Sequence, residues 1–149
     1  MDRDWTVQVV GGAVAELAED AARLHGLCAT LLAGLRSQLP HLRVHGEPAA
    51  RVPGSLNVSL PGVDAEAMML ALKDDVAMSS GSACMSATLE PSYVLRAMGI
   101  GEDVANTSLR LGLGRWTTPS DVDFAIRRIC EEALRLRAMT PSWRMAAEG

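Results

Sequence analysis

Met78-Ser79-Ser80-Gly81-Ser82-Ala83-Cys84-Met85-Ser86-Ala87-Thr88-Leu89-Glu90-Pro91-Ser92-Tyr93 is the stretch around which the chain is organised. From Ser79 to Ala83 every residue is small, and Gly81 admits backbone conformations that a Cβ disfavours. A thiol placed after such a run can travel and can approach a ligand closely. Downstream, Pro91 suits a first helical turn and Gly99 suits the position just past a helix end, which predicts a short helix over Tyr93–Met98. On these residues alone Cys84 has two readings, a small buried hydrophobe or a nucleophile. Its flanks of Ser, Gly and Ala argue against a packed core and leave the two evenly balanced.

Working outward, the chain has 149 residues, enough for one domain with a real core and too few for two ordinary ones. A hydrophobic share of 48% with 21% charged residues suits a globular protein, and a formal net charge of -4 gives no basic footprint for nucleic acid. No apolar run is long enough to span a bilayer, and Met1-Asp2-Arg3-Asp4-Trp5 lacks the plan of a secretory signal. The expected location is the cytoplasm. Cys28, Cys84 and Cys130 lie far apart and form no Cys-x-x-Cys pair, so neither a zinc knuckle nor a disulfide framework is indicated. Cys28 and Cys130 fall within helical apolar patterns and read as packing residues. His25 and His41 are isolated and read as ordinary side chains rather than metal ligands.

From Thr6 to about Leu39 apolar residues recur at three- and four-residue steps (Val10, Val14, Leu17, Leu24, Leu27, Leu31, Leu35), which predicts a long amphipathic helix ended by Pro40. His41–His45 and Ser55–Leu60 alternate as strands, separated by a loop rich in Pro and Gly. Asp64 is placed to cap a helix that uses Met68, Leu70 and Leu72, and Val76–Met78 reads as a brief strand leading to Cys84. Asn106–Leu113 alternates again, with Arg110 on the face opposite Leu109 and Leu111. Thr118 or Ser120 caps a last helix carrying Val122, Ile126, Ile129 and Ala133. The sum is one α/β domain over 1–149: a long helix over about 6–39, a short mixed sheet of about four strands with the Cys84 loop over about 41–115, a C-terminal helix over about 119–138 and a tail over 139–149.

Ser79-Ser80-Gly81-Ser82-Ala83-Cys84, Ser86-Ala87 and Leu89-Glu90-Pro91-Ser92-Tyr93-Val94-Leu95-Arg96-Ala97-Met98-Gly99 together resemble the active-cysteine segment of the cysteine desulfurases of the iron–sulfur assembly and nitrogen-fixation type, within the class-V aminotransferase superfamily. Leu56-Asn57-Val58-Ser59, Ala71-Leu72-Lys73-Asp74, Ser108-Leu109-Arg110-Leu111-Gly112-Leu113-Gly114-Arg115 and Pro141-Ser142-Trp143 match in the same order and spacing. The resemblance implies the C-terminal domain of fold-type I pyridoxal phosphate enzymes. It implies that Cys84 takes sulfur from L-cysteine as a persulfide, releasing L-alanine, and that Arg110 grips the substrate carboxylate with Asn57 near the site. Cys84 is also implied as a shared ligand of a nascent iron–sulfur cluster. The implied partners are a scaffold protein or a thiolation relay, and full-length relatives are homodimers.

The resemblance covers the last part of a full-length family member. Family members hold pyridoxal phosphate mainly through a large N-terminal domain, with a Schiff-base lysine, an aspartate at the pyridine nitrogen and a stacking histidine. No match to that set stands in this sequence, and its single lysine, Lys73, aligns with a small-domain helix. The first reading is therefore one part of a split desulfurase whose cofactor-binding half is another chain, with the long helix docking on it. A non-enzymatic persulfide carrier and an inactive truncated remnant are the alternatives. Arg110 favours the first, because a carrier has no use for a carboxylate clamp.

Overall fold

The apolar spacing that predicts a long first helix has a single outcome in the computed structural model, which describes residues 4–46, 51–80, 93–141 and 143. Helix α1 runs Asp4–Gln38, 35 residues and so about 52 Å long. Leu27, Leu31, Leu35 and Leu39, each four residues on from the last, are all buried. That spacing stacks side chains on one helix face. Arg36, in the last turn, complements the negative end of the helix dipole.

Four strands follow, interleaved with helices: β1 Arg43–His45, β2 Ser55–Ser59, α2 Ala65–Leu72, β3 Met78–Ser80, α3 Tyr93–Ala97, α4 Glu102–Ala105, β4 Ser108–Gly112 and α5 Pro119–Met139. The sheet order is β1-β2-β4-β3. All three pairings are antiparallel. The α/β class predicted from the sequence is what the chain adopts. The expected mixed sheet is instead antiparallel throughout the described residues, because β4 returns between β2 and β3, opposite in direction to both. The strand before Cys84 also lies two residues later than Val76–Met78, since the α2 end turns through Asp75 and Val76, whose N–H groups both donate to Leu72 O.

Alternation along β2 and β4 separates two faces. Leu56, Val58, Leu109 and Leu111 are buried in one cluster with Met68 and Leu72 of α2, Val122, Ile126, Ile129 and Ala133 of α5, and the α1 leucines. Burying each such side chain contributes about 1.5–3 kcal/mol. Asp64 caps α2, accepting from Ala67 N at 2.8 Å. Thr118 and Asp121 form a reciprocal capping box at the start of α5, ahead of Pro119. Together these caps fix where each helix leaves its loop.

Two further ties close the domain. Arg137 is buried on α5, donating from Nε to Pro61 O at 3.0 Å and from Nη2 to Pro40 O at 2.9 Å. Its guanidinium stacks over the Trp143 ring at 4.1 Å. Arg137 thus joins the turn after α1 to the turn before α2. At the α1–α5 crossing, Gly34 lets the helices approach, since a Cβ there would meet Ile126 Cδ1 at 2.4 Å and Cγ1 at 2.9 Å.

Gly34→Ala should therefore lose about 1 kcal/mol or more in urea unfolding, because overpacking outweighs the gain in helix propensity. Gly34→Ala/Ile126→Val, which removes the nearer methyl, should recover part of that loss; a Gly34→Ala variant as stable as the parent would refute the close crossing.

Candidate functional site

The register brings one residue from each strand into a single row across the sheet. His45 pairs with Asn57, Asn57 with Arg110, and Arg110 with Ser79. Successive partners in such a ladder sit about 5 Å apart. Because Leu56, Val58, Leu109 and Leu111 take the other face, this row looks away from the packed helices. Arg110 and Asn57, separated by more than fifty positions in sequence, are thus immediate neighbours. Arg110 is exposed as expected, opposite the buried Leu109 and Leu111.

Arg110 Nε donates to Ser79 Oγ at 3.1 Å. That bond holds the inner edge of the guanidinium and leaves the two terminal Nη groups to make paired bonds to a carboxylate. Asn57 is half-buried, and its Oδ1 is buried with no hydrogen-bond partner among the described residues. An orphaned acceptor of this kind costs about 1–3 kcal/mol. It lies beside Arg110 in the row. Ser79 was not singled out by the sequence reading. Strand alternation alone places it on a face; only the register with Arg110 gives it a task.

Two residues along the same strands, Ser59 and Ser108 pair and are fully buried on the same polar face. Ser59 Oγ donates to Val104 O at 2.8 Å, and Ser108 Oγ lies 3.0 Å from the same carbonyl. With its proton committed to Val104, Ser59 accepts from His45 Nε2 at 2.6 Å. The chain of bonds anchors α4 over one end of the row and fixes the His45 ring. Burial, and secondarily the Arg43 guanidinium, push the His45 pKa below its ordinary value of 6.5.

Cys84 lies outside the described residues. In sequence it stands five positions after Ser79, with four residues between them. The remaining cysteines are packed ones. Cys130 is buried and Cys28 half-buried. Burial raises both thiols above their ordinary pKa, partly offset at Cys28 by a Gly54 backbone hydrogen bond and by Arg51. Neither is poised as a thiolate. Among the described residues no cluster of three or more His, Cys, Asp or Glu is placed to hold a metal ion. Nor does any helix there have the length and apolarity to cross a membrane.

The far end of β4 is strapped to α1. Arg23 Nη1 donates to Thr117 O at 2.8 Å, and Arg23 also bonds Arg115 O. Arg115 returns to Glu16 and, at 3.2 Å, to Asp20. Trp116, between these anchors, is 86% exposed. These ties keep β4, and with it Arg110, in register against the helix layer.

Pyridoxal phosphate, which the resemblance implies, does not fit the described residues. Its covalent attachment requires a lysine, and Lys73 is exposed at the C-cap of α2. Helix α2 packs under the Leu56–Leu111 face, opposite Arg110. The sheet therefore stands between the chain's one lysine and Arg110.

Residues 13–124 match the class-V aminotransferase family. The chain is 51% identical to a cysteine desulfurase IscS of Anaeromyxobacter sp. (strain Fw109-5), over 99% of this chain and 38% of that protein. It is 45% identical to a cysteine desulfurase IscS of Rickettsia peacockii (strain Rustic), over 92% of this chain and 33% of that protein. The chain thus spans well under half the length of the curated relatives it matches. Among solved structures, a NifS-like protein from Rickettsia africae ESF-5 superposes with a TM-score of 0.67 at 25% identity, covering 79% of this chain and 30% of that one.

A folded His45 binds its proton less readily than an unfolded one. It therefore contributes stability above about pH 6.5 that is lost as the pH falls through its lowered pKa. The urea midpoint should drop between neutral pH and about pH 5, and His45→Gln should flatten that drop; an unchanged slope in the variant would remove His45 from the account.

Proposed function

The chain belongs to the class-V aminotransferase family, and we propose that it is the part of a cysteine desulfurase that grips the substrate and accepts its sulfur. The observation that carries this reading is the row Asn57–Arg110–Ser79, in which Ser79 belongs to the strand that precedes Cys84 in sequence. Arg110, oriented through Nε, takes the carboxylate of L-cysteine between its terminal nitrogens. Cys84 accepts the sulfur: L-cysteine and the thiol become L-alanine and a persulfide, the thiol's displaced hydrogen ending on alanine. Because Ser79 belongs to the strand that leads into the Cys84 segment, substrate capture at Arg110 and the path of that segment share one hydrogen bond.

The pyridoxal phosphate that such an activity requires is held by polypeptide outside the described residues, facing the Arg110 side of the sheet. Shape and chemistry agree on that side, since the opposite one is filled by α1, α2 and α5. The sulfur then passes to an acceptor such as an iron–sulfur scaffold or a thiolation protein. A carrier, loaded by a complete desulfurase, would use Cys84 and leave Arg110 idle.

The test is to purify the chain from its native cells and to record the visible absorbance of pyridoxal phosphate, any co-purifying polypeptide, L-cysteine-dependent alanine release and the gain of one sulfur on the Cys84 peptide. Cofactor, alanine and Cys84 persulfide together are expected, and Cys84→Ser should abolish the persulfide. Arg110→Ala should lower kcat/KM for L-cysteine roughly a hundredfold, the equivalent of about 3 kcal/mol for two charge-assisted bonds. Persulfide loading of Cys84 by an added full-length desulfurase that is unaffected by Arg110→Ala, without cofactor or alanine in the native preparation, would make the chain a carrier and overturn the enzymatic reading.

A further inference from the structure

Strand β1 is one edge of the sheet, with no partner strand on its outer side among the described residues. In an antiparallel ladder an edge strand leaves half its N–H and C=O groups without partners, and natural proteins usually cover such an edge. Here two cavities flank it instead. One, of about 240 Å³, lies between α1 and the β1–β2 region and is lined by His25, Cys28, Arg36, Val44 and Arg51. The other, of about 520 Å³, lies between β1 and the α3–α4 connection and is lined by Arg36, Arg43, Val44, His45 and the backbone of Gly99 and Gly101. Arg36 and Val44 belong to both, so the two form one groove along the strand.

The charge of this groove is opposite to that of the molecule. The chain carries a formal net charge of -4. Yet Arg36, Arg43 and Arg51 line the groove together with two histidines, and among the described residues no carboxylate lines it. Among the described residues none of the three arginines takes part in an ion pair, whereas Arg23, Arg115, Arg128 and Arg135 all do. Glu102 and Asp103, which open α4, line neither cavity. At Gly99 and Gly101 an added Cβ would meet nothing within 4 Å, so the far wall is open.

We propose that the β1 edge is a docking site for an acidic, extended segment of a partner polypeptide, which adds a strand to Arg43–His45 while its carboxylates engage Arg36, Arg43 and Arg51. The backbone groups of the edge select a polypeptide in β conformation, and the arginines select one with acid side chains. Val44, half-buried between the cavities, gives an alternate apolar side chain of the segment a place to rest. The overall negative charge disfavours nucleic acid, which lacks a backbone able to continue the ladder.

The full chain should be titrated at low salt with a short fluorescent peptide of alternating glutamate and valine. Parallel titrations use the same peptide N-methylated at alternate backbone nitrogens, and a single-stranded RNA oligonucleotide. Binding of the plain peptide is expected, weakened roughly tenfold or more by Arg36→Glu/Arg43→Glu and by N-methylation, and unchanged by Arg127→Glu on α5. Arg36 and Arg43 are exposed, so the double variant should fold; Arg36→Ala/Arg43→Ala, with an unaltered urea midpoint, checks the same surface without charge reversal. No peptide binding by the parent chain, equal binding by the doubly reversed chain, or RNA binding tighter than peptide binding would each overturn the proposal. Equal affinity for the N-methylated peptide would do so as well, since charge alone would then explain the contact.

Discussion

The antiparallel pairing of β2 with β4 is the constraint on which the rest depends. Its register, Leu56 opposite Leu111 and Val58 opposite Leu109, commits one face of both strands to the helix layer. The same register sets Asn57 beside Arg110 on the other face. A slip of β4 by one residue would bury the Arg110 guanidinium and expose Leu109 and Leu111. The hydrophobic demand of the core and the polar geometry of the candidate site are therefore one requirement met by one ladder. The Arg23 and Arg115 ties to α1 and the Ser59–Ser108–Val104 knot hold the two ends of that ladder in place.

The helix layer also decides which face of the sheet is open to a reactant. Helices α1, α2 and α5 occupy the apolar face, so any reactant must come from the polar one. Lys73 is turned away from it at the end of α2. What faces it is a guanidinium whose terminal nitrogens have no partner among the described residues, a hydroxyl that orients it, an amide whose oxygen has none there either, and a strand that precedes the Cys84 segment in sequence. Such a set is suited to holding an amino acid by its carboxylate and to presenting a thiol. It is not suited to holding an aldehyde cofactor by an amine, since the one lysine lies on the opposite side of the sheet.

At the β1 edge the sheet stops without a cover among the described residues, and the arginines gathered there take part in none of the ion pairs of α1 and α5. The two ends of the sheet thus differ in kind. The β3 end leads into the cysteine segment, and the β1 end offers an open strand in a cationic groove. His45 touches both, lining the groove and closing the row that contains Arg110.

The sequence by itself determined the helices with clear periodicity and caps: α1 through its four-residue leucine spacing, α2 through Asp64, and α5 through its apolar stripe, with Thr118 and Ser120 as alternative caps between which the structure chose Thr118. It determined, too, that Arg110 would lie opposite Leu109 and Leu111, because alternation along a strand is a local property. The small residues around Cys84 and the motifs on either side were enough to identify the family resemblance. Only the tertiary structure decided which strands are neighbours, and so that the sheet is antiparallel rather than mixed, since order and direction depend on contacts between residues far apart in the chain. Ser79, whose position in sequence suggests no more than a small residue before a loop, acquires its role from Arg110 across the ladder. The burial of Arg137 between two turns and the exposed cationic edge at Arg36 and Arg43 were likewise invisible in sequence, because charge composition records how many arginines there are and not which of them find a partner.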